Sequence, residues 1–172
     1  MKSEGFTLVE LMVALVVLGI LLTVGMPAFG KMIDQQRMDA GLSSLTGSLN
    51  MARQEAVRRN RPVTLAAIDG NWNNGWVMFL DNNRNGRHDE GEILLREIAP
   101  NAVMRVHANR PVSRYVQFNA RGESQLLNGG FQAGTFRFCP QASHEEGRRV
   151  TINQVGRWRV ERGVIEPGYC GF

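Results

Sequence analysis

Residues 11–30 (LMVALVVLGILLTVGMPAFG) form an uncharged run of twenty, and no other feature constrains the chain as strongly. Wound into a helix at about 1.5 Å per residue, the run measures roughly 30 Å, the depth of one hydrocarbon core. There is one such run, so the chain crosses a membrane at most once. A secretory signal would end the run in a small-residue cleavage site, and Met26-Pro27-Ala28-Phe29-Gly30 is a poor match to one. Glu10 borders the run directly. A carboxylate there is costly unless paired or protonated, which marks it as a functional candidate; the alternative is an interfacial Glu10 that reaches out to water. Pro27 lacks an amide donor, so a kink or local melting is expected there, helped by Gly19 and Gly25.

These N-terminal residues carry a resemblance. Gly5-Phe6-Thr7-Leu8-Val9-Glu10 resembles the processing site of type IV pilins and of the pseudopilins of type II secretion. The resemblance implies that prepilin peptidase cuts between Gly5 and Phe6 and that Phe6 becomes N-methylated. Cleavage there leaves the apolar helix on the mature protein. It also implies that Glu10 neutralises the Phe6 ammonium, within one helix or between filament subunits, so that the pairing fixes axial register.

Beyond the run the helical period continues. Met38, Leu42, Leu45, Leu49, Ala52 and Ala56 recur at three- and four-residue spacings, one apolar face of an amphipathic helix. Pro62 disfavours helix at Arg61, which places the helix end near Asn60. Short β-rich runs then alternate with Gly, Asn and Pro: 63–68, 76–80, 93–98, 103–107, 115–119, 135–139, 149–153 and 157–161. One long helix followed by short strands means α+β, with mostly antiparallel sheets on the helix's C-terminal half.

Four segments narrow the resemblance to the GspH/FimT group of minor pilins and pseudopilins. They are Arg53-Gln54-Glu55-Ala56-Val57, the segment from Trp76 to Gly86 followed by Glu92 and Leu94-Leu95-Arg96, Phe138-Cys139-Pro140, and Gly156-Arg157-Trp158-Arg159. The group's fold is a long N-terminal helix on a two-sheet β domain. The organisation implied is a leader at 1–5, a transmembrane and filament-core helix at 6–30, and a periplasmic domain at 31–172. The implied role is assembly, starting or capping a type IV pilus with other pilins, after anchoring in the inner membrane of a Gram-negative bacterium. A type II secretion pseudopilin is the alternative.

Cys139 and Cys170 are the only cysteines. Outside the cytoplasm they are expected to pair, and closing that loop contributes roughly 3–4 kcal/mol by the chain-entropy argument. The alternative is two separate buried thiols. Two cysteines exclude a four-cysteine zinc site.

Two further constellations could bind ligands. Asp81-x-Asn83-x-Asn85-Gly86-x5-Glu92 matches the calcium-loop pattern of EF-hands, although its flanks read as strands and Arg84 and Arg87 add positive charge. The alternative is a hairpin loop of Asn and Gly, chosen because both tolerate left-handed conformations. Arg148, Arg149, Arg157, Arg159 and Arg162 form a C-terminal basic cluster. Strand alternation puts Arg157 and Arg159 on one face, able to bridge DNA phosphates. A G-R-x-R segment at this place in some FimT-type minor pilins is associated with DNA capture, so the resemblance extends to DNA as a partner. The alternative is a solvated basic face. His88, His107 and His144 have no neighbouring nucleophile arrangement, and no catalytic constellation or obligatory cofactor is expected.

Overall fold

The computed structural model describes residues 7–99, 105–140 and 146–170, without the side chains of residues 24–28 and Pro167. Gly5 and Phe6 lie outside the described residues, as does the opening of the strand expected at 103–107. The chain divides into two compact units, Met1–Gln36 and Arg37–Phe172.

The first unit holds the opening part of α1 (Leu8–Arg59). Its backbone stays helical through Pro27, where the sequence predicts a kink or local melting. The large apolar side chains here, including Leu11, Leu15, Leu18 and Leu22, are exposed. Among the described residues no helix is long and apolar enough to cross a membrane; the uncharged run includes 24–28, whose side chains are outside that set.

The second unit is built on the rest of α1. The expected stripe becomes the core: Leu45, Leu49, Ala52 and Ala56 are almost completely buried, and Met38 and Leu42 pack against them. Two antiparallel sheets close over this stripe. The first has the order β3-β2-β1-β5-β6, formed by β1 (Val63–Ala67), β2 (Trp76–Leu80), β3 (Leu94–Ile98), β5 (Tyr115–Phe118) and β6 (Ser124–Gln125). The second has the order β4-β7-β8-β9, formed by β4 (Val106–Ala108), β7 (Gly134–Phe138), β8 (Glu146–Ile152) and β9 (Trp158–Val164). The short β6 has no sequence counterpart, because two residues cannot show an alternation. β8 starts three residues before the expected 149, since its opening residues Glu146 to Arg148 pair with Arg162 to Val164 of β9.

Alternation along the strands sorts the residues. Val63 and Leu65 of β1, Trp76 and Met78 of β2, Val116 and Phe118 of β5, and Val150 and Ile152 of β8 line the core. Two of the three tryptophans, Trp72 and Trp76, bring polar atoms inside and satisfy them. Trp76 Nε1 donates to Ser48 Oγ at 3.0 Å, and Trp72 Nε1 to the Val112 carbonyl at 2.9 Å. Cys139 and Cys170 form a disulfide with Cα atoms 5.7 Å apart, and Ile165 is buried beside it. The chain end, with α2 (Pro167–Cys170), is thereby tied to the end of β7.

The sheets and helix meet at one close backbone contact. Gly122, in the β5–β6 turn, accepts a hydrogen bond from Arg53 Nε of α1 at 2.9 Å. Gly156, in the β8–β9 turn with φ of 69°, lies so close that a Cβ there would collide with that same Gly122 carbonyl oxygen. Gly156→Ala therefore combines a left-handed backbone with a steric clash and is expected to destabilise the protein by about 3 kcal/mol or more. Gly129→Ala, also at positive φ but with open space around it, is expected to lose only about 1 kcal/mol. Urea denaturation of the two variants measures the difference.

Candidate functional site

At the start of α1, Thr7 and Glu10 satisfy each other. The Thr7 backbone N–H and hydroxyl donate to Glu10 Oε2 at 3.1 and 3.0 Å, and the Glu10 N–H donates to Thr7 Oγ1 at 3.3 Å. This reciprocal pair is a capping box, with Thr7 at the N-cap and Glu10 three residues on. The spacing Thr-x-x-Glu that makes this box is present in the sequence itself. The acid of the helix start is thus held by its own chain.

The loop between β2 and β3 is organised by a carboxylate with no access to solvent. Asp81 is completely buried. Its Oδ2 accepts from Thr64 Oγ1 at 2.9 Å, Gln117 Nε2 at 2.9 Å and the Gly86 N–H at 2.9 Å, while Oδ1 accepts from the Asn85 N–H at 3.1 Å. Glu92 accepts from the N–H groups of Asn82 and Asp89. The side-chain oxygens of Asn83 and Asn85 accept from the backbone at Asn85 and Arg87, and their amides donate to Asp89. Those two amides hold the Asp89 carboxyl below the ordinary carboxylate range. The four calcium candidates, Asp81, Asn83, Asn85 and Glu92, therefore all have their oxygens engaged with protein donors. Among the described residues no group of three or more His, Cys, Asp or Glu side chains is placed to hold a metal ion.

The five C-terminal arginines do not share one surface, and this corrects the grouping made from sequence. Arg148 is buried on the core side of β8. Its Nε donates to Asp39 Oδ1 of α1 at 2.8 Å, and its Nη1 reaches the carbonyls of Glu146 and Gly147. Arg162 pairs in register with Arg148, on the face of Trp158 and Val160 rather than that of Arg159. The opposite, outer face carries Arg149, Arg157 and Arg159. Arg149 and Arg159 flank Glu161, at 3.6 and 3.2 Å. Register adds a residue that sequence reasoning missed: Arg137 of β7 lies directly opposite Arg149. Its guanidinium sits 4.0 Å over the Tyr169 ring. Only strand pairing brings Arg137 there, so no local sequence signal could have found it.

The Gly156-Arg157-Trp158-Arg159 segment also divides by function. Gly156 makes the backbone contact, Trp158 packs against the core, and Arg157 and Arg159 are exposed. Arg53 and Glu55 of the 53–57 segment are structural as well. Arg53 holds the Gly122 carbonyl, and Glu55 pairs with Arg58 at 2.7 Å and with Arg59.

Asp81→Ala is expected to destabilise the protein by at least about 3 kcal/mol, because four donors lose their acceptor and two of them belong to fully buried side chains. Glu161→Ala, at a half-exposed position, is expected to change stability by less than about 1 kcal/mol. Chemical denaturation of both variants tests the ranking.

Residues 1–26 match the prokaryotic N-terminal methylation motif. The pilin-like protein PilA1 of Thermus thermophilus is 36% identical over 92 residues. That match covers 54% of this chain and 57% of PilA1, so this chain spans little more than half the length of that relative. Two crystal structures of the type IV minor pilin FimU from Pseudomonas aeruginosa superpose with TM-scores of 0.56 and 0.53 at 24% identity. They cover 74% and 72% of this chain and 90% and 91% of FimU, which establishes a shared fold: a long N-terminal helix on a two-sheet antiparallel β domain. Residues 42–156, well over half the chain, match the family described as Type II transport protein GspH, and the chain belongs to that family of structural, non-enzymatic pilin-like proteins.

Proposed function

We propose that this protein is a minor pilin that takes part in building a type IV pilus. The observation that carries this reading is the methylation motif over residues 1–26, joined to a helix whose large apolar side chains from Leu8 to Leu22 are exposed among the described residues. Such a surface needs lipid before assembly and neighbouring helices after it. In this reading prepilin peptidase cuts after Gly5 and Phe6 is methylated. The helix of residues 6–30 anchors the chain in the inner membrane, and residues 31–172 stand in the periplasm until the subunit enters a filament. Glu10 then exchanges its Thr7 contacts for the ammonium of a neighbouring Phe6. The names of FimU and PilA1 favour the pilus. The GspH family description keeps a secretion pseudopilus as the alternative.

Glu10→Gln separates the two roles of Glu10, since glutamine retains the capping acceptor but loses the charge. The variant is expected to keep a processed, N-methylated Phe6 while its incorporation into filaments falls about tenfold or more, as an unpaired ammonium in an apolar interface costs about 3–5 kcal/mol. Mass spectrometry of the N-terminus and immunoblotting of sheared pili measure the two outcomes, with Gly5→Val as the unprocessed control. Normal incorporation of the Gln variant would refute the register role.

A second reading is favoured by the outer face of the second sheet, where Arg149, Arg157 and Arg159 stand together. In that reading the pilin captures DNA through phosphate contacts, without reading sequence. Each lost phosphate contact lowers the slope of log affinity against log salt by about 0.9. Replacing Arg157 and Arg159 by Gln is expected to lower it by about two with the fold intact. Arg148→Gln is expected to destabilise the fold and leave the slope unchanged. Filter binding across a salt series distinguishes these, and equal slopes for wild type and the double variant would leave only a solvated basic face.

A further inference from the structure

The outer face of the first sheet carries a cavity of about 750 Å³ that neither the pilin motif nor the arginine face accounts for. Its floor is a cross-strand row: Ala66 of β1 lies in register between Val77 of β2 and Tyr115 of β5. This face is opposite the one that carries Leu65, Met78 and Val116 into the core. The small Ala66 side chain between two larger neighbours leaves the depression.

One wall is the loop of residues 85–88, the middle of the calcium-like motif. The hydrogen bonds that converge on Asp81 make this wall rigid. Gly86, at φ of 73°, is seated against Leu127 and Tyr115. The motif's Asp, Asn and Gly thus have a structural task, which is to hold a pre-formed wall.

Two guanidiniums stand at the rim, Arg87 on the loop and Arg114 beside Gly70. Both are exposed, and among the described residues neither side chain has a hydrogen bond or an ion pair within 4.0 Å. His88 lines the same cavity, and among the described residues Asp69 is the one acidic side chain lining it, with Asp89 a neighbouring charge of Arg87 outside the lining. The volume falls in the range of ligand sites, about 300–1,000 Å³. Guanidiniums recognise carboxylates through paired hydrogen bonds, and the Val77–Ala66–Tyr115 floor stabilises an apolar group by taking it from water. A bare phosphate would use the rim and leave the floor empty.

We infer that this cavity binds a short acidic peptide segment, in which carboxylates pair with Arg87 and Arg114 and a neighbouring apolar side chain covers the floor. The charge of the rim, the apolar row beneath it and the open groove fit such a segment. That it comes from an adjoining filament subunit rests on the assembly reading; the binding chemistry does not.

The test is a titration of the full-length chain in dodecyl maltoside micelles with acetyl-Glu-Leu-Glu-amide. It is followed by calorimetry and by the methyl resonances of Val77 and Leu127. The expected result is saturable binding that moves both resonances. Acetyl-Gln-Leu-Gln-amide is expected to bind at least tenfold more weakly, and inorganic phosphate to leave both methyl signals in place. The double variant Arg87→Gln/Arg114→Gln, altered only at exposed positions, is expected to keep a folded spectrum and lose at least tenfold in affinity. Absence of binding, equal affinity for the Gln peptide, equal shifts with phosphate, or unchanged affinity in the double variant would each overturn the inference. None of these outcomes bears on Phe6 methylation or filament incorporation, so the two proposals fail separately.

Discussion

The fold depends on a backbone contact that admits no side chain. The Gly122 carbonyl is held by Arg53 of the helix and is approached by Gly156 from the second sheet, so one oxygen fixes the relation of α1, the β5–β6 turn and the β8–β9 turn. Ser124, the first residue of β6, reinforces it, its hydroxyl within hydrogen-bond distance of the carbonyls of Gln132 and Asn153 and its N–H donating to the Gln154 carbonyl. Because the turn before β9 is fixed here, so is the start of β9, and with it the direction in which Arg157 and Arg159 leave the sheet. A surface motif and a packing motif are thus the same four residues.

Much of this was legible in the sequence, because local periodicity reports local burial. The stripe from Met38 to Ala56 became the helix face of the core, and the strands at 76–80 and 115–119 appeared within a residue of their expected limits. What the sequence could not show are relations set by pairing across the sheets. Asp39 and Arg148 are 109 positions apart, and Arg137 meets Arg149 only through the β7–β8 register. Arg157 and Arg159 are both exposed, Arg157 just before β9 and Arg159 within it. Arg148 and Arg162 are near them in sequence but on the other side of the sheet, a distinction that proximity in sequence does not carry.

The loop of residues 81–92 shows how one composition can serve two chemistries. Calcium loops and hydrogen-bonded Asx loops both need short oxygen-bearing side chains and a glycine at the tight turn, so spacing alone does not separate them. The discriminating quantity is the use of each oxygen. Asp81 here faces two side-chain donors from neighbouring strands, Thr64 and Gln117, as well as two backbone amides. Those partners lie at sequence separations of 17 and 36, beyond any local pattern.

The Asp39–Arg148 pair follows a different balance. The Arg148 side chain is 4% exposed while that of Asp39 is 40% exposed, so the guanidinium pays nearly all of the desolvation and the carboxylate keeps part of its hydration. Such a pair adds little net stability over an apolar pair of the same volume, yet removing Asp39 is costly because the buried Arg148 guanidinium is left without its carboxylate. Its contribution is therefore one of selection among packings. A helix resting on a sheet through Leu, Ala and Val could rotate by a fraction of a turn with small change in buried area. A guanidinium that must meet Asp39 and two carbonyls at once permits only one rotation. That rotation also sends Arg53 to the Gly122 carbonyl, fourteen residues further along the same helix, so the ion pair at one end and the backbone contact at the other specify the same seating of α1 within the domain.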